Sequence, residues 1–370
     1  MSAIQPLSLV SRGALGNPSQ GATTPAGAEI HVRDLRFGRS EAPQRWGLAE
    51  DPVATAWHTG LSATFPRGEA FFIESVKACR EGAPPALAAA IGGFIRQEIN
   101  HTREHLAFNR LAMATGYDLS RVDARVDQLI GETRGKPPAV NLAITMALEH
   151  FTAMFAHEFL ANPRHFTGAA SEAAAMWRWH AVEELEHKGV AFDTWRHFTR
   201  AWPRRRRWLV RSAMMLLVTR KFLANRVGDA LDLLDQDGIH GWRAKARLLH
   251  YLVVRPGVLR RIFPAWLAYF RPGFHPWHRD DRALIAGRER PSAGLIRTWA
   301  DQAARRIDPI SRPPPSSPPP GLRRCRAREP RPTPAHRERA RSAARPGRWR
   351  ESQAWQGPGP RPGCPGNGLR

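Results

Sequence analysis

Two stretches of the chain carry a Glu followed three residues later by a His: Glu98-Ile99-Asn100-His101 and Glu184-Leu185-Glu186-His187. Three residues turn an α-helix by about 300°, so each Glu and its His leave from one face, a turn apart. Carboxylate oxygen and imidazole nitrogen together suit a hard or borderline cation such as Fe(II), Fe(III) or Mn(II). One such pair is common on a solvated helix. Two pairs on long candidate helices, joined by lone carboxylates on two others, match the dinuclear plan of a four-helix bundle. Neighbouring cations repel each other, and bridging carboxylates neutralise that charge.

The lone carboxylate of the third candidate helix is Glu149, in an apolar run with Leu142, Met146, Leu148, Phe151 and Phe155. An unpaired carboxylate is costly to bury there. On the first candidate helix the choice lies between Glu69 and Glu74, which sit about 140° apart, and Glu69 is preferred. His180 precedes Glu184 by four residues and His187 by seven, so the three share one face and His180 becomes a seventh ligand. His105 relates to Glu98 and His101 in the same way and is placed behind the ligands or facing substrate. The expected metal ligands are Glu69, Glu98, His101, Glu149, His180, Glu184 and His187. Glu98, Glu184 and His105 are the residues expected to take part in catalysis, and the cofactor is expected to be two metal ions, iron first and manganese second. His150, His157, His165 and His197 read as ordinary histidines. Glu104, Glu158, Glu183 and Glu186 are expected to face solvent or to pair with Arg on adjacent turns.

These residues need helices to carry them. The first helix is predicted from about Gly68 to Gly82, the second from Pro85 to Gly116, the third over 138–161 and the fourth over 169–200. Their composition favours helix, and no segment alternates as a half-buried strand would. Residues 31–65, broken by Pro43 and Pro52 and followed by Pro66, read as irregular, and 117–137 as a polar connection. The fold class is therefore all-α: a ferritin-like four-helix bundle over about 66–202, with extra basic apolar helices over about 204–270 covering one flank, in a domain spanning 31–290.

Residues 1–30, rich in Ser, Gly, Pro and Ala, are expected to be disordered. So are residues 311–370, which hold 14 of the 32 prolines and, with 14 Arg and 3 Glu, +11 of the formal +23. The strong positive charge is largely a tail property. Its Arg/Pro/Gly/Ala bias also fits out-of-frame translation of GC-rich DNA, and no aromatic interleaving or RGG repeat points to nucleic acid. Cys79 is the single cysteine of the foldable part, which excludes a disulfide framework or thiolate metal site there and suits a reducing cytoplasm. No secretory signal and no apolar run near the eighteen residues of a membrane span stand out. The basic apolar segments at 204–226 and 243–270 allow contact with an anionic membrane surface. The expected partners are an apolar small-molecule substrate, such a membrane surface and a second copy of the chain.

At its ligand-bearing blocks the chain resembles a bacterial family described as predicted metal-dependent hydrolases. The matching text is Phe65-Pro66-Arg67-Gly68-Glu69-Ala70-Phe71-Phe72, Gln97-Glu98-Ile99-Asn100-His101 with His105 and Asn109, Ala147-Leu148-Glu149-His150, and Trp179-His180 through His187-Lys188. The resemblance covers roughly 30–290 and implies metal-dependent hydrolysis. The same ligands also resemble ferritin-like di-iron oxygenases of the p-aminobenzoate N-oxygenase type, whose His-x-x-x-Glu-x-x-His run matches His180, Glu184 and His187. That second resemblance implies O₂-dependent oxidation of an apolar or aromatic small molecule, and neither resemblance carries a substrate pocket. Phe71, Phe72, Phe94, Phe151, Phe155 and Trp179 would wall a dry cavity or belong simply to the core. Hydrolysis by a metal-activated water is the alternative, with Glu186 or His105 as proton carriers, and a non-catalytic metal-binding bundle is the third reading.

Overall fold

The structure, a computed structural model, describes residues 24–25, 28–38, 42–48 and 50–287. The tail expected to be disordered at 311–370 lies outside the described residues, as does most of 1–30. The described residues are all-α, with no strand among them. The helices are α1 (Pro52–Ala78), α2 (Pro85–Ala114), α3 (Ser120–Gly131), α4 (Pro138–Ala161), α5 (Ser171–His187), α6 (Val190–Phe198), α7 (Arg204–Gln236), α8 (Gly241–Leu249) and α9 (Val258–Ala268).

Proline in the first turn starts α1, α2 and α4, where its missing N–H costs nothing. The first helix begins at Pro52 rather than near Gly68. Asp51 caps it by accepting the Val53 N–H at 2.8 Å, and Pro66 lies inside the helix instead of ending it. A proline there leaves the carbonyl of residue i−4, Ser62, without a helical partner. That carbonyl instead accepts from the Asn109 side chain of α2 at 3.2 Å. The expected connection at 117–137 contains α3, whose Val122 and Val126 are buried one turn apart. The fourth helix is interrupted at Lys188-Gly189. A Cβ at Gly189 would lie 3.0 Å from the Trp277 ring, and Lys188 turns aside to reach Asp281 at 2.6 Å. The expected basic apolar segment at 204–226 is part of a helix that runs on to Gln236, and the one at 243–270 is divided into α8, a π turn (His250–Val254) and α9.

α1 packs on α2, α2 on α5, α5 on α4 and α4 on α1, which closes a ring of four helices. α7 lies across α1 and α4, and α9 covers α4. Fully buried Trp57, Phe94, Leu142, Met146 and Leu185 fill the interior around the ring. α4 is the helix, among the described residues, long and apolar enough to cross a membrane, which departs from the expectation that no run approaches that length. Its apolar window is 72% buried against neighbouring helices, as a core helix would be. Replacing Leu142, which is 0% exposed, by Ala should destabilise the fold by about 2–5 kcal/mol. Chemical denaturation should show this as a lower midpoint with an unchanged slope.

Candidate metal centre

The ring of four turns its polar side chains to one place. Glu69 comes from α1, Glu98, His101 and His105 from α2, Glu149 from α4, and His180, Glu184 and His187 from α5, and none is more than 3% exposed. Glu74 is exposed, so Glu69 is the inward carboxylate of α1. Four overlapping groups could each hold a metal ion, with donor atoms within 4.8 Å of one another: Glu98–Glu149–His187, Glu69–Glu98–His101, His101–His180–Glu184 and Glu69–His105–His180. All seven expected ligands and His105 are brought together.

His187 Nε2 lies 3.3 Å from Glu98 Oε1, 3.4 Å from Glu149 Oε2 and 3.3 Å from Glu184 Oε2. His101 Nδ1 lies 3.8 Å from Glu98 Oε2 and 3.7 Å from Glu184 Oε1. Glu98 and Glu184 thus each direct one oxygen to His187 and the other to His101, as a bridging carboxylate would. Both oxygens of Glu98 and of Glu149 make no hydrogen bond among the described residues, and the same holds for Glu69 Oε1, Glu184 Oε2, His101 Nδ1 and His187 Nε2. Each buried polar atom left unpaired costs roughly 1–3 kcal/mol, more when charged. Here they converge, and they are the hard and borderline donors that a cation satisfies. The residues fit a metal.

Each imidazole is also held from behind. His101 Nε2 donates to Glu183 Oε2 at 3.0 Å, and Glu183 accepts from Trp179 Nε1 at 3.1 Å and from the Arg33 N–H at 3.0 Å. His187 Nδ1 donates to Gln97 Oε1 at 2.9 Å, Gln97 Nε2 donates to Glu186 at 2.8 Å, and Arg33 pairs with Glu186 at 2.6 Å. Such partners fix the tautomer and aim the free nitrogen at the metal position. A family model described as predicted metal-dependent hydrolase matches residues 31–280, a span that includes α1 to α9 and every residue of the cluster. The chain belongs to that family. Comparison with curated proteins and with solved structures gives no match.

In this member of the predicted metal-dependent hydrolases, His180 is set by a longer chain of bonds. Asn109 Nδ2 donates to the Ser62 carbonyl, so its Oδ1 accepts the Ser62 hydroxyl at 2.7 Å. With that proton committed, Ser62 Oγ accepts from His105 Nδ1 at 2.8 Å. His105 Nε2 then accepts from His180 Nδ1 at 2.6 Å, and a lone pair on His180 Nε2 faces Glu184 Oε1 at 2.8 Å. Burial, then the neighbouring imidazoles, hold His105 well below the usual histidine value, and burial and His101 bring His180 down to about 4. Both rings are neutral at pH 7, so the direction of the chain holds. An ionised oxygen and a lone pair that close repel unless a cation lies between them.

Burial, then Glu98, pushes the Glu69 carboxyl well above the ordinary carboxylate value, and burial and Glu184 do the same to Glu149. Burial also raises Glu98, against the pull of His101 and His187. Burial opposes charge on Glu184, yet His187 and His180 outweigh it and hold that carboxyl well below its ordinary value. Burial likewise opposes the imidazolium forms, but Glu183 and Glu98 raise His101 well above the usual value, and Glu184 and Glu98 raise His187.

Glu104, Glu158, Glu183 and Glu186, expected to face solvent or to pair with Arg on adjacent turns, are all buried, and Glu104 pairs with its neighbour Arg103 at 2.7 Å. Arg33, from the extended segment ahead of α1 rather than an adjacent turn, neutralises Glu183 and Glu186. His150, His157, His165 and His197 stand outside the cluster, bonded respectively to the Ala265 carbonyl, Asp281, Glu158 and the Glu81 carbonyl. Sequence reasoning gave Gln97, Glu183, Ser62 and Asn109 no role in holding the imidazoles. Gln97 and Glu183 adjoin ligands in the chain, and Asn109 follows His105 by one turn, which is the signal they carry.

A cavity of about 20 Å³ opens on His180 and Glu184 and is walled by Leu61, Phe65, Phe155, Phe159 and Trp177. A larger one of about 70 Å³ lies one turn beyond Ser62, His105 and His180, among Thr59, Phe108 and Met176. Of the expected aromatic wall only Phe155 lines the smaller cavity. Phe94 and Trp179 instead pack edge-on against His187 and His101, with ring centroids 4.9 and 5.0 Å apart.

Two predictions follow from this geometry. Ser62→Ala and Asn109→Leu should each weaken metal binding by about 10–100-fold while leaving helical content intact, because they free the His105–His180 pair. Unchanged affinity in a metal-buffer titration would count against that role. The second concerns pH. Glu69, Glu98, Glu149, His101 and His187 hold protons in the metal-free fold at pH values where the unfolded chain has released them. Folding stability of the metal-free protein should therefore fall as pH rises above 6.5 and through the folded pKa values, whereas His105 and His180 act below 6.5. Metal loading should release protons and reverse that slope. Thermal unfolding of chelator-treated and metal-loaded protein between pH 6.5 and 8.5 checks this; a flat chelated curve would contradict it.

Proposed function

We propose that the cluster holds two iron ions, with manganese as the alternative, and that the protein uses O₂ to oxidise an apolar or aromatic small molecule in a ferritin-like bundle. The pair is supported by Glu98 and Glu184, each of which spans His101 and His187. When bound, the ions supply Lewis-acid and O₂ redox chemistry. The chain's own residues supply the rest. Glu183, Gln97 and His105 aim three imidazoles inward, and the apolar packing around them keeps water out.

The observation that carries the choice of reaction is the wall of the cavity at His180 and Glu184. Its side chains are aliphatic or aromatic apart from the two ligands and Thr152, whose hydroxyl donates to the Glu149 carbonyl at 3.0 Å. No cationic side chain lines it to hold an ester phosphate or carboxylate. A wall of this kind suits an apolar substrate and a small gas. The family's description favours hydrolysis as the second reading. Its proton carriers would be Glu186 and His105, and both are committed, Glu186 to Arg33 and Gln97, His105 to Ser62 and His180. The buried thiol of Cys79, which burial pushes up to about 11, is compatible with a cytoplasmic setting.

Purified protein reconstituted without oxygen should take up about two irons per chain and show a near-ultraviolet band that changes on reduction and on exposure to O₂. Glu184→Ala should lose the metal. Ala156→Leu, which fills the smaller cavity, should keep the metal and lower turnover of an aromatic probe about tenfold. A colourless zinc or manganese form that cleaves model esters, with an iron form inert to O₂, would establish hydrolysis instead.

A further inference from the structure

Among the described residues, the helices that follow the site keep several large apolar side chains exposed. Leu209 and Leu216 on α7 are 48% and 54% exposed, Trp242 and Leu249 on α8 are 75% and 62%, and Phe263 and Leu267 on α9 are both 55%. Spacings of seven and four residues put each pair on one side of its helix. Hydrogen bonds link the three helices. Trp266 Nε1 donates to Thr219 Oγ1 at 2.9 Å and Trp208 Nε1 to the Phe270 carbonyl at 2.9 Å, joining α9 to α7. Arg260 Nε donates to the Val253 carbonyl at 3.1 Å, joining α9 to the π turn that continues α8. Clustered exposure of this kind, unlike scattered single residues, marks a contact surface.

Charge identifies the partner. Residues 204–228 and 238–271 contain fifteen Arg and Lys and no Asp or Glu. Arg220, Arg243, Lys245, Arg247 and Arg255 are exposed and pair with no carboxylate among the described residues. A second copy of the chain would bring the same cations against these, and like charges facing each other disfavour a symmetric dimer through this face. An anionic lipid surface supplies both halves of the match: phosphate for the cations, and an acyl boundary for Trp, Leu and Phe. We propose that the α7–α9 face docks on an anionic bilayer, with the apolar side chains in the headgroup–acyl boundary and the cations on lipid phosphates. The proposal stands whichever reaction the metal centre performs.

Full-length protein can be sedimented with vesicles of phosphatidylcholine, alone or mixed with phosphatidylglycerol. Every variant keeps residues 311–370, so the attraction of that Arg-rich stretch is common to all. Wild type should bind the mixed vesicles and release at high salt. Phe263→Ser/Leu267→Ser and Arg243→Glu/Lys245→Glu should each weaken binding roughly tenfold with unchanged helical circular dichroism. Should the first pair fail to fold, Leu209→Ser/Leu216→Ser reports on the same face. Lipids brominated on the acyl chain should quench tryptophan fluorescence in wild type and measurably less in Trp242→Phe. Variants that bind as tightly as wild type would assign the attraction to the tail and overturn the proposal. A dimer in solution that Phe263→Ser/Leu267→Ser converts to monomer, without any change in vesicle binding, would overturn it too.

Discussion

Four carboxylates meet where the helix ring excludes water, and the rest of the molecule is arranged around that cost. Glu69, Glu98, Glu149 and Glu184 come from four different helices, and each is at most 3% exposed. Burial and mutual repulsion hold protons on Glu69, Glu98 and Glu149, and ionising them without a compensating charge would push the ring apart. Packing resists this from outside the cluster, through side chains such as Trp57, Phe94 and Leu185 that have no alternative place to go. His101 and His187 resist it from within, because the carboxylates around them raise both imidazoles, His101 well above the usual value. A cation performs the same neutralisation with more charge in less space, which is why a metal-binding reading follows from electrostatics as well as from the motif.

The extended segment ahead of α1 belongs to the same solution. Turning His101 and His187 inward requires acceptors behind them, and those acceptors are Glu183 directly and Glu186 through Gln97. Two more buried carboxylates would worsen the imbalance. Arg33 pairs with both, and the backbone N–H groups of His31 and Arg33 donate to them. Residues 31–33 thus pack along α2 and α5 without regular structure of their own, because their partners are side chains rather than neighbouring backbone.

What the sequence disclosed follows from locality. The paired Glu-x-x-His runs and Glu149 in its apolar helix are legible because helical periodicity makes a polar residue on a buried face conspicuous. Glu183 and Glu186 looked solvated because their burial depends on Arg33, some 150 residues away. Pro66 read as a helix boundary because a proline removes a hydrogen bond, and nothing local shows that Asn109 takes the orphaned carbonyl. The break at Lys188-Gly189 likewise depends on Trp277 and Asp281, remote in the chain. The four ligand-bearing helices were readable because their patterning is local, whereas α3, the first turns of α1, the helix ends and the supporting bonds were not.

Pro66 also explains an asymmetry among the three inward imidazoles. With no N–H of its own, Pro66 leaves the Ser62 carbonyl to the Asn109 side chain, the bond that fixes that amide. The amide in turn directs the Ser62 hydroxyl, and through it His105 and His180. As built, His180 is backed by a neutral imidazole, whereas a carboxylate backs His101 and an amide joined to a carboxylate backs His187. His101 and His187 must give up protons before a metal can use them; His180, held at about 4, has its lone pair available at neutral pH. The smaller cavity opens on that same residue. The corner backed by a neutral imidazole is therefore also the corner an apolar molecule can approach, so the irregularity in α1 and the position of the cavity serve one end of the site.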